Sequence, residues 1–230
     1  MTQGRQFCRW HPHDDAEAMA RAVAAEVLRA AEDALRQRDE FHIVLAGGNT
    51  PRRAYEALRN ADAGWSGWHV WFGDERCLPP GDPERNSRMA GEAWLDHVPI
   101  PERQIHAIPA ERGAAAAVAA YAEALKGRGD FDLVLLGLGE DGHTASLFPG
   151  HDWGAEPDAP DALAIFDALK PPAERVSLSA RRLSRARRVF FLAGGAGKRA
   201  ALSAWRGGEG IPASAITPRA GVDVYFEAGR

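Results

Sequence analysis

The sequence predicts an α/β protein in which a doubly wound, mostly parallel sheet lies between two layers of helices, forming one αβα domain over residues 1–230. Short apolar runs alternate with stretches of helical spacing, which is the pattern of repeated βα units. The run at 131–138 is almost wholly apolar, as is typical of a parallel strand buried on both faces. Several such runs end in glycine-rich or charged turns, where open α/β sheets place their ligands.

The individual elements follow from the periodicity of apolar residues and from the positions of glycine and proline. Helices are predicted at 15–37, 52–59, 89–95, 114–126 and 199–205. Strands are predicted at 41–46, 68–72, 105–109, 131–138, 162–166, 175–179, 188–193 and 222–226. The proline-rich segment 78–88 and the segment 150–160 are expected to be loops, and His11 and His13 are expected in an exposed loop.

Composition excludes several classes of protein. With 45% hydrophobic residues in 230, the chain can bury a sizeable core. A net charge of −4 gives no reason to expect nucleic acid or an anionic membrane as the main partner. Cys8 and Cys77 are far apart and form no CxxC motif, which favours a reducing compartment. We therefore expect a soluble, cytoplasmic protein.

A histidine flanked by acids and glycines follows the predicted strand at 131–138. The segment 139–151 reads GEDGHTASLFPGH and places His143 near the carboxyl end of that strand. A neutral imidazole can accept a proton from water near pH 7, and a neighbouring carboxylate can fix its tautomer. His143 is thus a candidate general base, oriented by Asp141.

Two glycine turns are candidate anion sites. Gly47, Gly48, Asn49 and Thr50 lead from a strand into a helix, with Thr50 as a possible helix cap. An ordinary tight turn would need the same glycines, so this segment alone leaves both interpretations open. Lys198, in a GGAGK turn before a later helix, could likewise meet a phosphate or remain an exposed lysine.

Charged residues also end the predicted strand at 68–72. Asp74 and Arg76 belong to a GDER segment that is either part of a binding site or a solvated loop with an internal ion pair. The proline-rich loop that follows returns Asn86 toward the same crevice.

Motifs for cofactors and metals are incomplete. Gly137, Gly139 and Gly142 satisfy GxGxxG, but prolines follow where a dinucleotide fold needs a long helix. The lysine turn lacks the first glycine and the final Ser or Thr of a P-loop. Asp141, His143 and His151 lack the spacing of known zinc motifs. No metal or organic cofactor is expected.

Three segments together resemble one enzyme family. AGGNTP at 46–51, GDERCLP at 73–79 and GEDGHTASLFPGH at 139–151 resemble the signatures of the 6-phosphogluconolactonases, and the likeness continues through 170–183, 194–198 and 211–216. The resemblance implies a Rossmann-like αβα sandwich, shared with glucosamine-6-phosphate deaminases. It also implies hydrolysis of 6-phospho-D-glucono-1,5-lactone in the oxidative pentose phosphate pathway, without a cofactor, by a monomer or homodimer.

The resemblance also implies roles for individual residues. His143 would activate water, Arg76 would steady the developing negative charge, and further residues would bind substrate. These are Gly47, Gly48, Asn49, Thr50, Asp74, Asn86 and Lys198. Asn49 stands where the family often has serine, and the segment 85–87 reads Arg-Asn-Ser where Ser-Asn is common. The sequence leaves open which of three further arginines completes a phosphate site: Arg181, Arg182 or Arg185.

Two alternative functions remain. An amino-sugar phosphate deaminase typically has tyrosine after the Asp-Glu pair and a glutamate-bearing segment after its histidine, whereas this chain has Arg76 and SLFPGH. A sugar-phosphate-binding protein without catalysis is the second alternative, against which the complete set of His143, Asp141 and Arg76 argues.

Overall fold

The computed structural model describes residues 6–228 and contains one large parallel sheet. Its seven strands lie in the order β1-β10-β9-β6-β2-β3-β5, and every neighbouring pair is parallel. The strands are β1 (Cys8–His13), β2 (Phe41–Leu45), β3 (Trp68–Phe72), β5 (Ile105–His106), β6 (Phe131–Gly137), β9 (Ala186–Ala193) and β10 (Val222–Glu227).

Helices flank this sheet and complete a three-layer α/β fold, as predicted. They are α1 (Ala16–Arg38), α2 (Asn49–Leu58), α3 (Asn86–Ala93), α4 (Ala114–Leu125), α5 (Ala180–Ser184) and α6 (Arg199–Arg206). Helix α3 begins at Asn86, three residues before the predicted start, because a buried carboxylate described below binds its first N–H groups. None of the helices within 6–228 is long and apolar enough to cross a bilayer.

The winding of the sheet reverses between β2 and β6, which are neighbours at its centre. From β2 the chain proceeds through β3 to β5 on one side, and from β6 through β9 to β10 on the other. The first strand of the chain, β1, forms the edge beside β10. Loops leaving β2 and β6 therefore diverge and open a crevice at the carboxyl edge of the sheet.

Two predicted strands lie outside the large sheet. β7 (Ala162–Ile165) and β8 (Arg175–Leu178) form an antiparallel hairpin that pairs with β4 (Asp74–Arg76) in a separate three-stranded sheet. Of the two alternatives that the sequence left open for 74–76, the solvated loop is wrong, because these residues form a strand. Asp74 and Glu75 are buried, and this small sheet holds them at the crevice.

The prediction of an exposed loop around His11 and His13 was also wrong. Both residues belong to β1, which is parallel to β10 at the sheet edge. His11 stacks on Tyr225 with ring centroids 4.7 Å apart and contacts Asp223 through Nε2 at 2.8 Å. These partners come from the end of the chain, so local sequence at the start of the chain does not reveal them.

A cluster of histidines lies away from the crevice, where His42, His69 and His106 stack across β2, β3 and β5. The indole N–H of Trp71 donates to Nδ1 of His42 at 3.2 Å. A neutral His42 then carries its proton on Nε2, which faces Glu40 at 3.1 Å. That nitrogen has no lone pair to offer a metal ion, so the cluster is better described as a hydrogen-bonded stack.

This stack predicts acid sensitivity. Burial, followed by the charges of His69, Arg128 and His42, lowers the pKa of His106 to about 4. An unfolded histidine has a pKa of about 6.5, so between these values the unfolded chain binds protons that the folded protein does not. His106 therefore leaves the free energy of unfolding unchanged above about pH 7. It lowers the free energy of unfolding progressively as the pH drops from about 6.5 towards 4.

We expect His106→Phe, which keeps an aromatic ring against Trp71, to reduce the loss of melting temperature between pH 7 and pH 5. Circular dichroism melts at both pH values measure this. His97→Phe, at an exposed histidine outside the stack, is the matched control and should keep the wild-type acid loss. Equal acid loss in wild type and His106→Phe would contradict the assignment.

Candidate active site

The crevice at the carboxyl edge of the large sheet is a cavity of about 420 Å³. Nine of the ten site residues predicted from the sequence line it, and the tenth, Asp141, contacts one of the nine. The lining residues among them are Gly47, Gly48, Asn49, Thr50, Asp74, Arg76, Asn86, His143 and Lys198. The segments that follow β2, β3, β6 and β9 supply them, because parallel strands bring their carboxyl ends to one edge.

His143 and Asp141 form a close pair. Nδ1 of His143 lies 2.5 Å from Oδ1 of Asp141, which also accepts the backbone N–H of His143 at 3.1 Å. A carboxylate can only accept, so Nδ1 carries the proton and Nε2 is left as a free base. The His143 side chain is 19% exposed, and its ring packs against Phe148 at 5.0 Å. This arrangement suits proton abstraction from a molecule in the cavity.

The pKa values of this pair support a neutral base. Burial lowers the pKa of His143, and the Asp141 carboxylate only partly offsets this effect. Burial alone would raise the pKa of Asp141, but hydrogen bonds from the backbone and ring of His143 outweigh it, so the pKa of Asp141 is lowered. At neutral pH the pair is an imidazole beside a carboxylate.

The turn between β6 and His143 depends on the absence of a side chain at Gly139. A Cβ atom there would overlap the His143 ring and lie 2.5 Å from Oδ1 of Asp141. The turn is closed by the N–H of Gly139, which donates to the carbonyl of His143 at 2.7 Å, and by Thr144 Oγ1, which donates to Gly137 at 2.9 Å. The glycine spacing that resembles a dinucleotide motif thus makes room for the histidine.

Asp74 and Asn86 bind each other. Nδ2 of Asn86 donates to the backbone carbonyl and to Oδ1 of Asp74, both at 2.9 Å. Ser146 Oγ donates to the other carboxylate oxygen at 2.7 Å. Asp74 is 5% exposed and Ser146 fully buried. Much of the hydrogen-bonding capacity of Asp74 and Asn86 is therefore used within the protein, which favours a positioning role beside any contact with substrate.

The fully buried Glu75 holds this side of the crevice together. Its carboxylate accepts the backbone N–H groups of Asn86 at 2.7 Å and Ser87 at 2.8 Å, at the start of α3. Arg85 lies 3.5 Å away and is itself buried, reaching Glu111 at 2.9 Å. The carboxylate thus caps the helix and ends the proline-rich loop.

Arg76 presents an unused donor near the cavity. Its Nη1 donates to the carbonyl of Glu84, whereas its buried Nε has no hydrogen-bond partner among residues 6–228. A buried donor without a partner is costly and is usually explained by a ligand or by water. Arg76 also lines the cavity, so its guanidinium group is placed to meet an oxygen of a bound molecule.

The turn after β2 has the geometry of an anion site. Gly48 is the N-cap of α2 with φ +102°, a conformation that favours glycine. The first helical N–H bond is that of Arg52 to Gly48, so the N–H groups of Asn49 and Thr50 point out of the helix end. The expectation that Thr50 caps α2 was wrong: it lies inside the helix, and no side chain caps the helix.

The turn after β9 approaches the turn after β2. A Cβ atom at Gly194 would lie 2.8 Å from Thr50 Oγ1 and 2.8 Å from Oε1 of Glu227. Lys198 lies one turn later and lines the cavity. Burial lowers the pKa of Lys198, which the nearby Glu140 partly offsets. The structure therefore brings the two candidate anion turns together.

The three further arginines are placed elsewhere. Arg181 binds Asp161 at 3.0 Å, and Arg185 donates to the carbonyl of Arg128 at 3.2 Å. Arg182 is fully buried and stacks 3.9 Å from the ring of Phe131, the first residue of β6. The carbonyl of Arg185 accepts the N–H of Phe131. They lie at the amino end of β6, and the expectation that one of them completes a phosphate site was wrong.

Among the residues of the cavity region that the sequence did not indicate are four with polar, charged or aromatic side chains: Ser146, Phe148, Lys170 and Arg175. Ser146 and Phe148 stand within the histidine segment, and the other two within the KPPAER segment that carries part of the family resemblance. Because these two segments carry the family resemblance, their position in the sequence could have indicated that these residues belong to the site. Their contacts depend on the small sheet, which local pattern does not reveal.

Comparison with known proteins identifies the family. A model described as glucosamine-6-phosphate isomerases/6-phosphogluconolactonase matches residues 14–225. The chain belongs to this family. A 6-phosphogluconolactonase of Streptomyces coelicolor is 37% identical over 229 residues, covering 90% of this chain and 87% of the relative. One from Synechocystis is 40% identical over 183 residues, covering 74% and 72%.

Solved structures agree with this assignment. The 6-phosphogluconolactonase of Thermotoga maritima superposes with a TM-score of 0.88 at 26% identity, covering 97% of this chain and all of that one. A monomeric glucosamine-6-phosphate deaminase superposes with a TM-score of 0.80 at 18% identity, which shows a shared fold. The fold thus does not separate the two activities of the family.

We expect Gly139→Ala to lower kcat at least about 100-fold, because the added methyl group displaces His143 and Asp141 from their common geometry. The protein should still fold, with a melting temperature within a few degrees of wild type. Gly210→Ala is the control, since a Cβ there meets open space, and it should keep the wild-type rate. Wild-type turnover by Gly139→Ala would show that the pair does not act in catalysis.

Proposed function

We propose that this enzyme hydrolyses 6-phospho-D-glucono-1,5-lactone to 6-phosphogluconate. The observation that carries the proposal is the His143–Asp141 pair in a cavity that also contains an anion turn and the free donor of Arg76. A base, an anion-binding turn and a positive group are what hydrolysis of a phosphorylated ester requires. The relatives named 6-phosphogluconolactonase support the same substrate.

In the proposed reaction, Nε2 of His143 removes a proton from water while the water oxygen attacks the lactone carbonyl carbon. The carbonyl π electrons move to the oxygen, and Arg76 stabilises the resulting oxyanion. When the intermediate collapses, the bond between the carbonyl carbon and the ring oxygen breaks. The ring oxygen takes the proton from the His143 imidazolium and becomes a hydroxyl group. No covalent enzyme intermediate is formed.

The 6-phosphate is proposed to lie on the turn formed by Gly47, Gly48, Asn49 and Thr50, with Lys198 beside it. The N–H groups of Asn49 and Thr50 and the positive end of α2 favour a dianion there. The separation between this turn and His143 would then set the distance between phosphate and carbonyl carbon.

A deaminase is the principal alternative within this fold. Arg76 follows the Asp-Glu pair, where a deaminase typically has tyrosine. A segment that includes SLFPGH follows His143, where a deaminase typically has a glutamate-bearing segment. A binding protein without catalysis is less well supported, because it does not need a base held by a carboxylate. An assay with glucosamine 6-phosphate as control substrate separates these possibilities.

Location and partners remain predictions. Two unpaired cysteines, Cys8 and Cys77, are consistent with the expected cytoplasmic location. We also keep as predictions a single domain over residues 1–230, a monomeric or homodimeric state and no nucleic-acid partner.

The function is tested with enzymatically generated 6-phosphogluconolactone, after subtraction of its spontaneous hydrolysis. We expect His143→Gln to lower kcat about 10²- to 10⁴-fold with little change in KM, since the base acts in the transition state. His151→Gln, at a histidine that instead lies near Asp167, should stay within about twofold of wild type. An unchanged kcat in His143→Gln would reject the base assignment.

Substitution of Lys198 tests the phosphate site. We expect Lys198→Met to raise KM for the phosphorylated lactone about tenfold or more, because a charge-assisted contact is lost. Inhibition by 6-phosphogluconate should weaken in parallel. Lys126→Met, at an exposed lysine paired only with Glu123, is the matched control. If Lys198→Met bound both compounds normally, Lys198 would not belong to the phosphate site.

A further inference from the structure

One cation, Lys198, has been assigned so far to the proposed phosphate site. A phosphate monoester carries a charge of about −1.5 to −2 near pH 7. Lys198 is the cation beside the anion turn, and Arg181, Arg182 and Arg185 lie at the other edge of the sheet. A second cation would offset more of this charge. Of the other cations that line the cavity, Arg76 is proposed to act at the lactone oxygen, and Arg175 donates to backbone carbonyls.

Lys170 lies at the mouth of the cavity. It belongs to the loop 166–174 that joins β7 to β8, and it lines the cavity together with Pro171. The residue is exposed. Within residues 6–228 its ammonium group makes no hydrogen bond or ion pair with a protein group. A cavity-lining lysine without a protein partner among these residues is free to bind a ligand.

Arg175 holds this loop. Its Nη2 donates to the carbonyl oxygens of Lys170 at 2.9 Å and Pro171 at 3.0 Å, and its Nε donates to Pro172 at 3.0 Å. Arg175 is 5% exposed. Its guanidinium group lies 5.7 Å from the centroid of the Phe148 ring, which in turn packs against His143. The backbone that carries Lys170 is thereby tied to the catalytic side of the cavity.

The positive charge of Lys170 affects the pKa values of residues on both sides of the cavity. Burial is the main cause of the lowered pKa values of His143 and Lys198, and the positive charge of Lys170 lowers both further. All three residues line the same cavity. Two ammonium groups that repel each other across one cavity are stabilised when an anion lies between them.

We propose that Lys170 is a second phosphate-binding cation of the active site and that Arg175 is the residue that positions it. The inference rests on the phosphate site proposed above for the turn at 47–50. Lys170 would approach the phosphate from the loop side while Lys198 approaches it from the start of α6. The flexible lysine stem allows the ammonium group to follow the substrate as it enters.

The test compares two substrates, 6-phosphogluconolactone and unphosphorylated glucono-1,5-lactone. For Lys170→Met we expect kcat/KM to fall about 10- to 100-fold with the phosphorylated lactone and to stay within twofold with the other. Lys170→Arg should recover most of the loss because it restores the charge. Lys126→Met, at the exposed residue that follows α4, should leave both values unchanged.

The same comparison tests Arg175. Arg175→Met should reproduce the loss that is selective for the phosphorylated lactone, whereas simple destabilisation would lower turnover of both substrates. Equal losses with both substrates in Lys170→Met would show that the lysine acts at the lactone and would overturn the proposal. Unchanged kcat/KM of Lys170→Met with both substrates would also overturn the proposal. If the wild-type enzyme did not prefer the phosphorylated lactone, the phosphate site itself would be wrong.

Discussion

The parallel arrangement of all seven strands in the large sheet is the constraint on which the site depends. It brings the ends of β2, β3, β6 and β9 to one edge, although they are separated by long stretches of sequence. The reversal of winding between β2 and β6 then opens the crevice between the anion turn and the histidine turn. The proposed reaction uses both turns, one for the phosphate and the other for the lactone.

Buried polar groups convert this crevice into a defined geometry. Glu75 and Arg85 are both almost completely buried, and a buried charge is tolerated only when it is well paired. Their partners are the start of α3 and Glu111, so the pairing fixes Asn86 against Asp74. Removing one member would leave the other charge unpaired. The same groups therefore serve stability and the placement of Arg76.

His143, the proposed general base, shows how the environment adjusts the pKa of a common side chain. Burial favours the neutral ring, whereas Asp141 favours the protonated ring and also fixes its tautomer. The net effect is a pKa below the ordinary value, so the ring is ready to accept a proton at neutral pH. Gly139 is required because any side chain would occupy the space of this pair.

The sequence by itself determined the three-layer fold, most helices and the main strands, since buried strands and amphipathic helices have distinct periods. It also identified His143, Asp141, Arg76 and the anion turn, because these residues stand directly after strands or within compact motifs.

Tertiary structure alone decided that β1 is a strand, since its partner β10 lies at the other end of the chain. It also decided that β4, β7 and β8 form their own sheet, and that Lys170 faces the cavity whereas Arg182 does not. Those outcomes depend on contacts between distant segments, which local patterns of residues do not specify.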